Sequence, residues 1–399
     1  MRKIDLNNFR VATSDTARDI NRRIVLNLVR EHQPISRASL ARESGLQRST
    51  VSAIADQLIA EQWLIEGATG NLPRGRKPTF LNFNSQRAVV IGVDLRPSIT
   101  NFGLADLDSR FILQESMPTG NDPEKFVTSL TSRLCELIQA HPKTAYEGIG
   151  ISLPGRVDLT SHQLTFAPNL GWTGLDLKTP LERATGIPVE LENAANACAL
   201  AEFWHGHYAK GARNLVAVTV SEGIGVGMIL NGQLVHGHSG VAGEFGHVTV
   251  SPDGPLCSCG NHGCWEIMAS NSAACRYYTT GGLRRKSKPA VRAITFTDLL
   301  NLAQEGDRKA DEALNHMAKY LGAGLSMIVT GVAHEAILIV GDVTRAWDRV
   351  GPIVAKTLKH HSFTHATTRI IPTDPTEQPR LRGTIALVLQ KHFIAPFIA

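Results

Sequence analysis

The sequence predicts an α/β protein in which a small helical head precedes two similar lobes. Apolar residues recur with helical spacing between Asp19 and Glu61, which predicts three consecutive helices. A pattern of three strands at 88–113 returns at 214–235, about 125 residues further along, which predicts two lobes of related design. A chain of 399 residues is long enough to form two or three domains with sizeable cores.

Residues 1–82 are predicted to form a winged helix-turn-helix domain. The second helix follows Ser36, Gly45 makes the turn, and the third helix runs from about Gln47 to Glu61. A Gly- and Arg-rich stretch then leads into alternating apolar residues, which is the pattern of a β-hairpin wing. The apolar stripe of the first helix is Ile20, Ile24, Val25, Leu28 and Val29.

The excess positive charge lies entirely in this segment. Its 82 residues hold 13 Lys and Arg against 8 Asp and Glu, whereas the rest of the chain holds 28 of each, within a formal net charge of +5. A basic helix-turn-helix indicates double-stranded DNA as a partner, with the third helix in the major groove and the wing on the minor groove or the phosphates. The candidate DNA contacts are Arg48, Ser49, Thr50 and Ser52 on the third helix and Arg74, Arg76 and Lys77 on the wing.

A metal site is predicted from one histidine and three cysteines, His247, Cys257, Cys259 and Cys264. Three thiolates and one imidazole complete a tetrahedral shell with no open position, which is typical of a structural zinc ion, one per chain. His262 could replace His247 as the nitrogen ligand. The six cysteines are too few for a disulfide framework in a chain of this length.

Two motifs are similar to those of the ROK (repressor, open reading frame, kinase) family. Residues 192–196, Glu-Asn-Ala-Ala-Asn, resemble the family's Glu-Asn-Asp-Ala-Asn, and residues 243–247, Gly-Glu-Phe-Gly-His, resemble its Gly-Glu-x-Gly-His. The resemblance implies an actin-like (ribonuclease H-like) sugar-kinase fold with a cleft between lobes, and it favours His247 as the nitrogen ligand. We expect the first lobe at 83–194 with the C-terminal helix 381–399 packed on it. We place the second lobe at 195–380, with the zinc loop, the effector pocket and a dimerisation surface.

The same resemblance implies a sugar pocket. Members of the family direct amide and carboxylate side chains to the hydroxyl groups of the sugar. One imidazole can face both the zinc ion and the pocket. The matching residues here are Asn169, Asn193, Glu244, His247 and Glu266.

Ala194 stands where the family's kinases have the Asp that takes the proton from the attacking sugar hydroxyl. A methyl group cannot act as a general base. The turns that bind phosphates in those kinases also differ, since Arg96 and Pro97 replace glycine-rich sequence, Glu222 brings a carboxylate, and the adenosine-side Gly-Gly is reduced to Gly341-Asp342. These departures predict a protein without enzymatic activity.

We therefore expect a dimeric, sugar-responsive DNA-binding regulator that represses carbohydrate-metabolism genes. Neither a signal peptide nor an apolar membrane span is found in the sequence, which predicts a cytoplasmic protein with no membrane partner. The effector is a sugar or a sugar phosphate, and we favour the neutral sugar. Two alternatives remain: an active sugar kinase with a DNA-binding appendage, and a repressor controlled by a protein of the sugar phosphotransferase system.

Overall fold

The computed structural model describes residues 13–69, 78–158, 161–206, 208–209, 211–280, 294–361 and 368–394. The predicted DNA contacts Arg74, Arg76 and Lys77 lie outside these residues. The longest described helix has 25 residues. None of the described helices combines the length and the apolar character that a membrane crossing requires.

The head consists of three helices and a three-stranded sheet of order β1-β3-β2. Gly45 has a left-handed φ of 71° and allows the tight turn between the second and third helices. Ile24, which the sequence predicts to lie in the core, is exposed. Leu26 is buried instead, beside Val25 and Val29. The elements are α1 (Ser14–His32), β1 (Ile35–Ser36), α2 (Arg37–Ser44), α3 (Arg48–Ala60), β2 (Leu64–Thr69) and β3 (Thr79–Phe83).

The first five-stranded sheet has the order β11-β7-β4-β5-β6. It begins with an antiparallel meander and continues with strands parallel to β4. Every residue of the central strand β4 is buried because the sheet is covered on both faces. The elements are β4 (Val89–Leu95), β5 (Ile99–Asp106), β6 (Phe111–Pro118), α4 (Pro123–Ala140), β7 (Tyr146–Leu153), β8 (Arg156–Val157), β9 (Leu164–Ala167), β10 (Trp172–Leu175), α5 (Lys178–Thr185) and β11 (Val189–Asn193); β8–β10 form a small separate sheet.

The second sheet repeats this plan with the order β14-β13-β12-β15-β16. Its meander is again antiparallel, and β15 and β16 are parallel to β12. The elements are α6 (Ala194–His205), β12 (Leu215–Val220), β13 (Ile224–Leu230), β14 (Gln233–Leu234), α7 (Trp265–Ala269), α8 (Asn271–Thr280), α9 (Phe296–Gln304), α10 (Arg308–Val332), β15 (Ala336–Val340), α11 (Trp347–His361), β16 (Arg369–Pro372) and α12 (Pro379–Phe393).

The helices α6 and α12 pack against each other between the two sheets, with α12 against β4 and β7 and α6 against β12 and β13. Their backbones approach closely. A Cβ atom on Gly383 would lie 1.9 Å from the Ala197 carbonyl oxygen, and one on Gly150 of β7 would lie 2.2 Å from the Thr384 carbonyl oxygen. Glycine at these positions therefore fixes the spacing of α6, α12 and the first sheet.

Candidate functional site

A cleft of about 420 Å³ opens between the two sheets. It is bounded by the β8 strand, the start of α6, the β12–β13 turn and the loops that follow β14. Polar side chains surround it, as expected for a pocket that binds a hydrophilic molecule. All five residues of the predicted sugar pocket line this cleft: Asn169, Asn193, Glu244, His247 and Glu266.

The start of α6 forms one wall. Asn193 caps the helix, its Oδ1 accepting a hydrogen bond of 2.8 Å from the Ala195 N–H. The Asn193 Nδ2 donates to the Gly155 carbonyl oxygen at 2.8 Å. Both ends of this amide therefore already have protein partners. Ala194 follows on the cleft wall with only its methyl group to offer.

A half-buried carboxylate, Glu266, lies on the opposite side. Its Oε2 accepts a hydrogen bond of 3.0 Å from the Ile224 N–H, and burial raises its pKa. The neighbouring Gly223 leaves the space that this carboxylate uses, since a Cβ atom there would lie 2.3 Å from Glu266 Oε2 and 3.4 Å from Asn169 Nδ2. The geometry thus brings an amide and a carboxylate together at the β12–β13 turn.

Glu244 lies where the two sides of the cleft meet. Its Oε1 is 3.6 Å from Arg156 Nε on β8, and its Oε2 is 3.7 Å from His247 Nε2. At these distances the carboxylate makes no direct hydrogen bond to either side chain. It is therefore available to accept a hydrogen bond from a ligand.

The four predicted metal ligands form one cluster. The ligand atoms of His247, Cys257, Cys259 and Cys264 all lie within 4.8 Å of one another. His247 Nδ1 is 3.7 Å from Cys257 Sγ, and Cys259 Sγ is 3.6 Å from Cys264 Sγ. A tetrahedral ion with metal–sulfur distances of about 2.3 Å separates its ligand atoms by about 3.5–3.8 Å, so these side chains can hold a metal ion.

The alternative ligand His262 faces away from the cluster, because its Nδ1 is 3.1 Å from the Gly254 carbonyl oxygen. His247 serves two sides instead, with Nδ1 toward the thiols and Nε2 toward Glu244 in the cleft. Trp265 follows the last cysteine, is fully buried and donates a hydrogen bond of 3.0 Å to the Tyr320 carbonyl oxygen of α10. The metal loop is thereby fixed to the core of the second sheet.

Side-chain contacts are found at the turns after β4 and β12, which the sequence resemblance predicts to correspond to phosphate-binding turns of kinases. Arg96 follows β4 and donates to the buried Asp94 carboxylate at 2.6 Å. Burial lowers the pKa of Arg96, but the Asp94 carboxylate outweighs it and raises the pKa overall. Arg380 of α12 reaches across to the second sheet and donates to Ser221 Oγ at 3.1 Å.

On the head, the predicted contacts on α3 lie at its first turn. Arg48 and Ser49 are exposed, and Thr50 and Ser52 are half-buried. No side chain caps the start of α3, which leaves its first N–H groups available to an anion such as a phosphate.

Two contacts, one in the cleft and one at the far end of α6, were not predicted from the sequence. His236, after β14, lines the cleft with its Nε2 2.7 Å from Glu192 Oε2. Arg30 of α1 donates to the Trp204 carbonyl oxygen of α6 at 2.7 Å and lies 4.6 Å from the centre of its ring. Neither belongs to a recognisable motif, and the second joins residues 174 positions apart.

The arrangement defines a two-lobed protein with sugar-kinase-like sheets that carries a head of three helices and a small sheet. The model of the ROK family matches residues 90–391, and the chain belongs to this family. It is 34% identical to the xylose repressor of Bacillus subtilis (strain 168) over 332 residues, covering 82% of this chain and 84% of the relative.

Two solved structures show the same architecture. A ROK family transcriptional regulator, a homolog of the Escherichia coli MLC protein, matches with a TM-score of 0.81 and 25% identity, covering 95% of this chain and 98% of that one. A ROK family glucokinase from Streptomyces griseus, in complex with glucose and AMPPNP, matches with a TM-score of 0.66 and 28% identity, covering 76% of this chain and 100% of that one. The kinase match covers a smaller share of this chain.

Proposed function

We propose that this protein is a DNA-binding transcriptional repressor whose operator affinity is controlled by a sugar in the cleft. The observation that carries the proposal is the combination of a cleft lined by sugar-binding residue types with Ala194 at the position of the catalytic base. The presence of a helix-turn-helix head and the similarity to a xylose repressor support it.

A sugar kinase is the competing function, since a ROK glucokinase shares the lobes. Phosphoryl transfer needs a base for the attacking hydroxyl and backbone N–H groups around the phosphates. Here Ala194 supplies no base, Pro97 lacks an N–H, and Arg96 is held by Asp94 where the first phosphate-binding turn would be. These features favour a protein that binds the sugar without transforming it.

The effector we propose is a neutral aldose, with D-xylose as the first candidate because of the similarity to a xylose repressor. Glu244 and Glu266 both line the cleft, and two carboxylates accept hydrogen bonds from hydroxyl groups but repel an added phosphate. A sugar phosphate is the alternative, since alanine at position 194 lacks the negative charge that the kinase Asp would add.

We propose that zinc occupies the cluster formed by His247 and the three cysteines, one ion per chain. When bound, the ion would supply charge and rigidity to a loop that lies beside the cleft, with no open position for catalysis. His247 then has a fixed orientation, with its Nε2 directed to the sugar in the cleft.

Helix α6 provides the connection between the cleft and the head. It begins at Ala194 in the cleft and ends at His205, and 12 residues at 1.5 Å per residue span about 18 Å. Its last turn contacts Arg30 of α1 through the Trp204 ring and carbonyl oxygen. A ligand that shifts the start of α6 therefore also shifts a direct contact of the DNA-binding head.

On DNA, we propose a homodimer that places two α3 helices in successive major grooves of a near-palindromic operator. The half-sites then lie one helical turn, about 34–36 Å, or a multiple apart. Sugar and DNA favour different arrangements of the two heads, so each weakens the binding of the other by the same factor.

The test is a titration of full-length protein on operator fragments selected from a random DNA library, with and without D-xylose and D-glucose. We expect nanomolar operator binding that one sugar weakens at least about 5-fold. A coupled assay on the same preparation measures sugar-dependent ATP hydrolysis. Robust hydrolysis would contradict the repressor proposal and favour a sugar kinase. Operator binding that no sugar alters would instead favour control by a protein partner, such as a phosphotransferase component.

A further inference from the structure

His236 is held in the cleft by a buried carboxylate. Its Nε2 lies 2.7 Å from Glu192 Oε2, and Glu192 is only 5% exposed. The histidine follows β14 of the second sheet, whereas Glu192 belongs to β11 of the first, so the pair crosses the cleft between the sheets. The His236 side chain keeps 31% of its surface exposed and lines the cleft.

The remaining hydrogen-bonding capacity of Glu192 is already used. Its Oε1 accepts from the Asn193 N–H at 2.8 Å and from Asn196 Nδ2 at 2.9 Å. A carboxylate surrounded by these donors stays an acceptor, so the proton of the imidazole is on the nitrogen that faces it. Glu192 therefore orients His236 from a buried position.

This leaves one free group at the pair, the Nδ1 of His236. Within the residues that the structure describes, the His236 Nδ1 atom has no hydrogen-bond partner. It is also accessible rather than buried. The hydrogen bond to Glu192 also raises the pKa of His236. The Nδ1 atom accepts a hydroxyl proton when the ring is neutral and donates to a hydroxyl oxygen when the ring is protonated, so in either state it can form a hydrogen bond with a hydroxyl group.

The location matters because of Ala194. Glu192 and Asn196 lie two residues on either side of Ala194, so the pair stands at the same end of the cleft as the missing carboxylate. The Asp of a kinase would accept a hydrogen bond from a sugar hydroxyl there. In this chain, an imidazole nitrogen from the opposite sheet is the hydrogen-bonding group near that point.

We propose that His236 is a further ligand-binding residue that determines which sugar is recognised, forming a hydrogen bond between Nδ1 and one hydroxyl of a neutral aldose while Glu192 holds the ring. This inference rests on the proposed sugar-sensing function. It adds a contact from the second sheet to a pocket in which each end of the Asn193 amide already has one protein partner. The sugar thereby engages a pair that joins the two sheets.

The experiment is a calorimetric titration of the full-length protein with D-xylose, D-glucose and the mono-deoxy derivatives of the sugar that binds more tightly. We expect His236→Ala to weaken that sugar about 3- to 10-fold, the loss of one hydrogen bond. His236→Gln can donate to Glu192 through its amide nitrogen and present its carbonyl oxygen to the sugar, so it should restore binding to within about 3-fold. His238→Ala is the matched control, because His238 is an exposed histidine of the same loop.

The deoxy sugars separate a ligand contact from a structural role. In the wild type, one deoxy derivative should bind about 3- to 10-fold more weakly than the parent, and in His236→Ala that derivative and the parent should bind equally. If the affinity of every deoxy derivative, relative to the parent sugar, falls by the same factor in both proteins, His236 only joins the two sheets. The inference is then wrong, while the sugar-sensing function stands. If the wild type binds neither D-xylose nor D-glucose, both are overturned. Unchanged melting temperatures for the glutamine and control variants verify folding.

Discussion

Arg30 of α1 and Trp204 of α6 form a direct contact between the head and the end of the helix that starts in the cleft. The guanidinium lies 4.6 Å from the centre of the indole ring and donates a hydrogen bond of 2.7 Å to the Trp204 carbonyl oxygen. Burial lowers the pKa of Arg30 to about 10, so it remains charged at neutral pH. A cation–π contact in a buried position is among the stronger ones in proteins.

Arg30→Ala is expected to weaken the communication between sugar and operator. It removes the cation–π contact and a charged hydrogen bond, so we expect about 2–3 kcal/mol less free energy of unfolding and at least about 1 kcal/mol less coupling. Urea unfolding and operator titrations with and without the effector measure the two quantities. Arg22→Ala is the control, because Arg22 pairs with Glu61 inside the head. Coupling of wild-type size in Arg30→Ala would exclude this contact from the pathway.

Ala194→Asp tests the chemistry of the effector. A new carboxylate beside the sugar should leave the affinity for a neutral sugar unchanged or raise it by one hydrogen bond, about 0.5–1.5 kcal/mol, and should selectively weaken the binding of a sugar phosphate by repulsion. Matched pairs, D-glucose with its 6-phosphate and D-xylose with its 5-phosphate, are titrated against both proteins. Preferential binding of the phosphate by the wild type, with its selective loss in the variant, would contradict the neutral aldose. No sugar-dependent ATP hydrolysis is expected from this single change, because Arg96 remains held by Asp94.

Cys257→Ser should remove one zinc ligand and release the ion. We expect one zinc per wild-type chain and a large loss from the variant by elemental analysis, with a lower melting temperature and weaker sugar binding because His247 loses its fixed orientation. Cys135→Ser controls for the substitution itself, since Cys135 is a free cysteine outside the cluster. Wild-type protein purified without chelator and containing no zinc would refute the assignment.

Arg48→Ala should weaken operator binding by about 1–3 kcal/mol if the guanidinium contacts a base edge. The double change Arg74→Ala, Arg76→Ala should weaken binding to any DNA and lower the salt slope by about 2, since each arginine accounts for about one phosphate contact. Fluorescence anisotropy at several salt concentrations measures both effects. The exposed Arg308, at the start of α10 in the second lobe, provides the control Arg308→Ala. An unchanged salt slope in the double variant would remove the wing from the interface.

Glu147 is expected to make the fold sensitive to acid. Burial raises its pKa, but hydrogen bonds from His392 at 2.6 Å and Arg87 at 2.7 Å outweigh it and lower the pKa from 4.5 to about 2. A lowered pKa stabilises the fold above pH 4.5, and this contribution is lost as the pH falls toward 2. The unfolding free energies of wild type and Glu147→Gln should therefore differ by about 2–3 kcal/mol at pH 6 and converge near pH 2, with the exposed Glu124→Gln matching the wild type throughout. A difference that does not change with pH would contradict this assignment.

Local patterns in the sequence were sufficient for much of the fold. Helical spacing placed α3 to within a residue of its ends, because an amphipathic stripe and the left-handed Gly45 leave few alternatives. The spacing of the three cysteines predicted that their thiols lie together, since three cysteines within eight residues can meet around one point in a tight loop, and their sulfur atoms do lie in one cluster that can hold a metal ion.

Contacts between distant segments could not be read in this way. His236 belongs to no motif. Its contact with Glu192 depends on the packing of the two sheets, which brings β11 close to the end of β14. Asn193 matched a sugar-binding motif, yet its position at the start of α6 turns its amide to the backbone of its own helix and of Gly155. Periodicity also favoured Ile24 for the core, whereas the docking of α1 on α12 selects Leu26.

The head of this protein shares its apolar core with α12, because Val25 and Leu26 of α1 lie in one cluster with Leu389 and Phe393. A chimaera that exchanges the effector lobes for those of a relative would cut through this cluster if it were joined after residue 83. Biosensors built from this chain should therefore retain α1, α12 and the last turn of α6 as one inherited unit and exchange only the cleft-lining segments. The boundary of the transplantable part follows a buried surface, and it does not coincide with any single position along the chain.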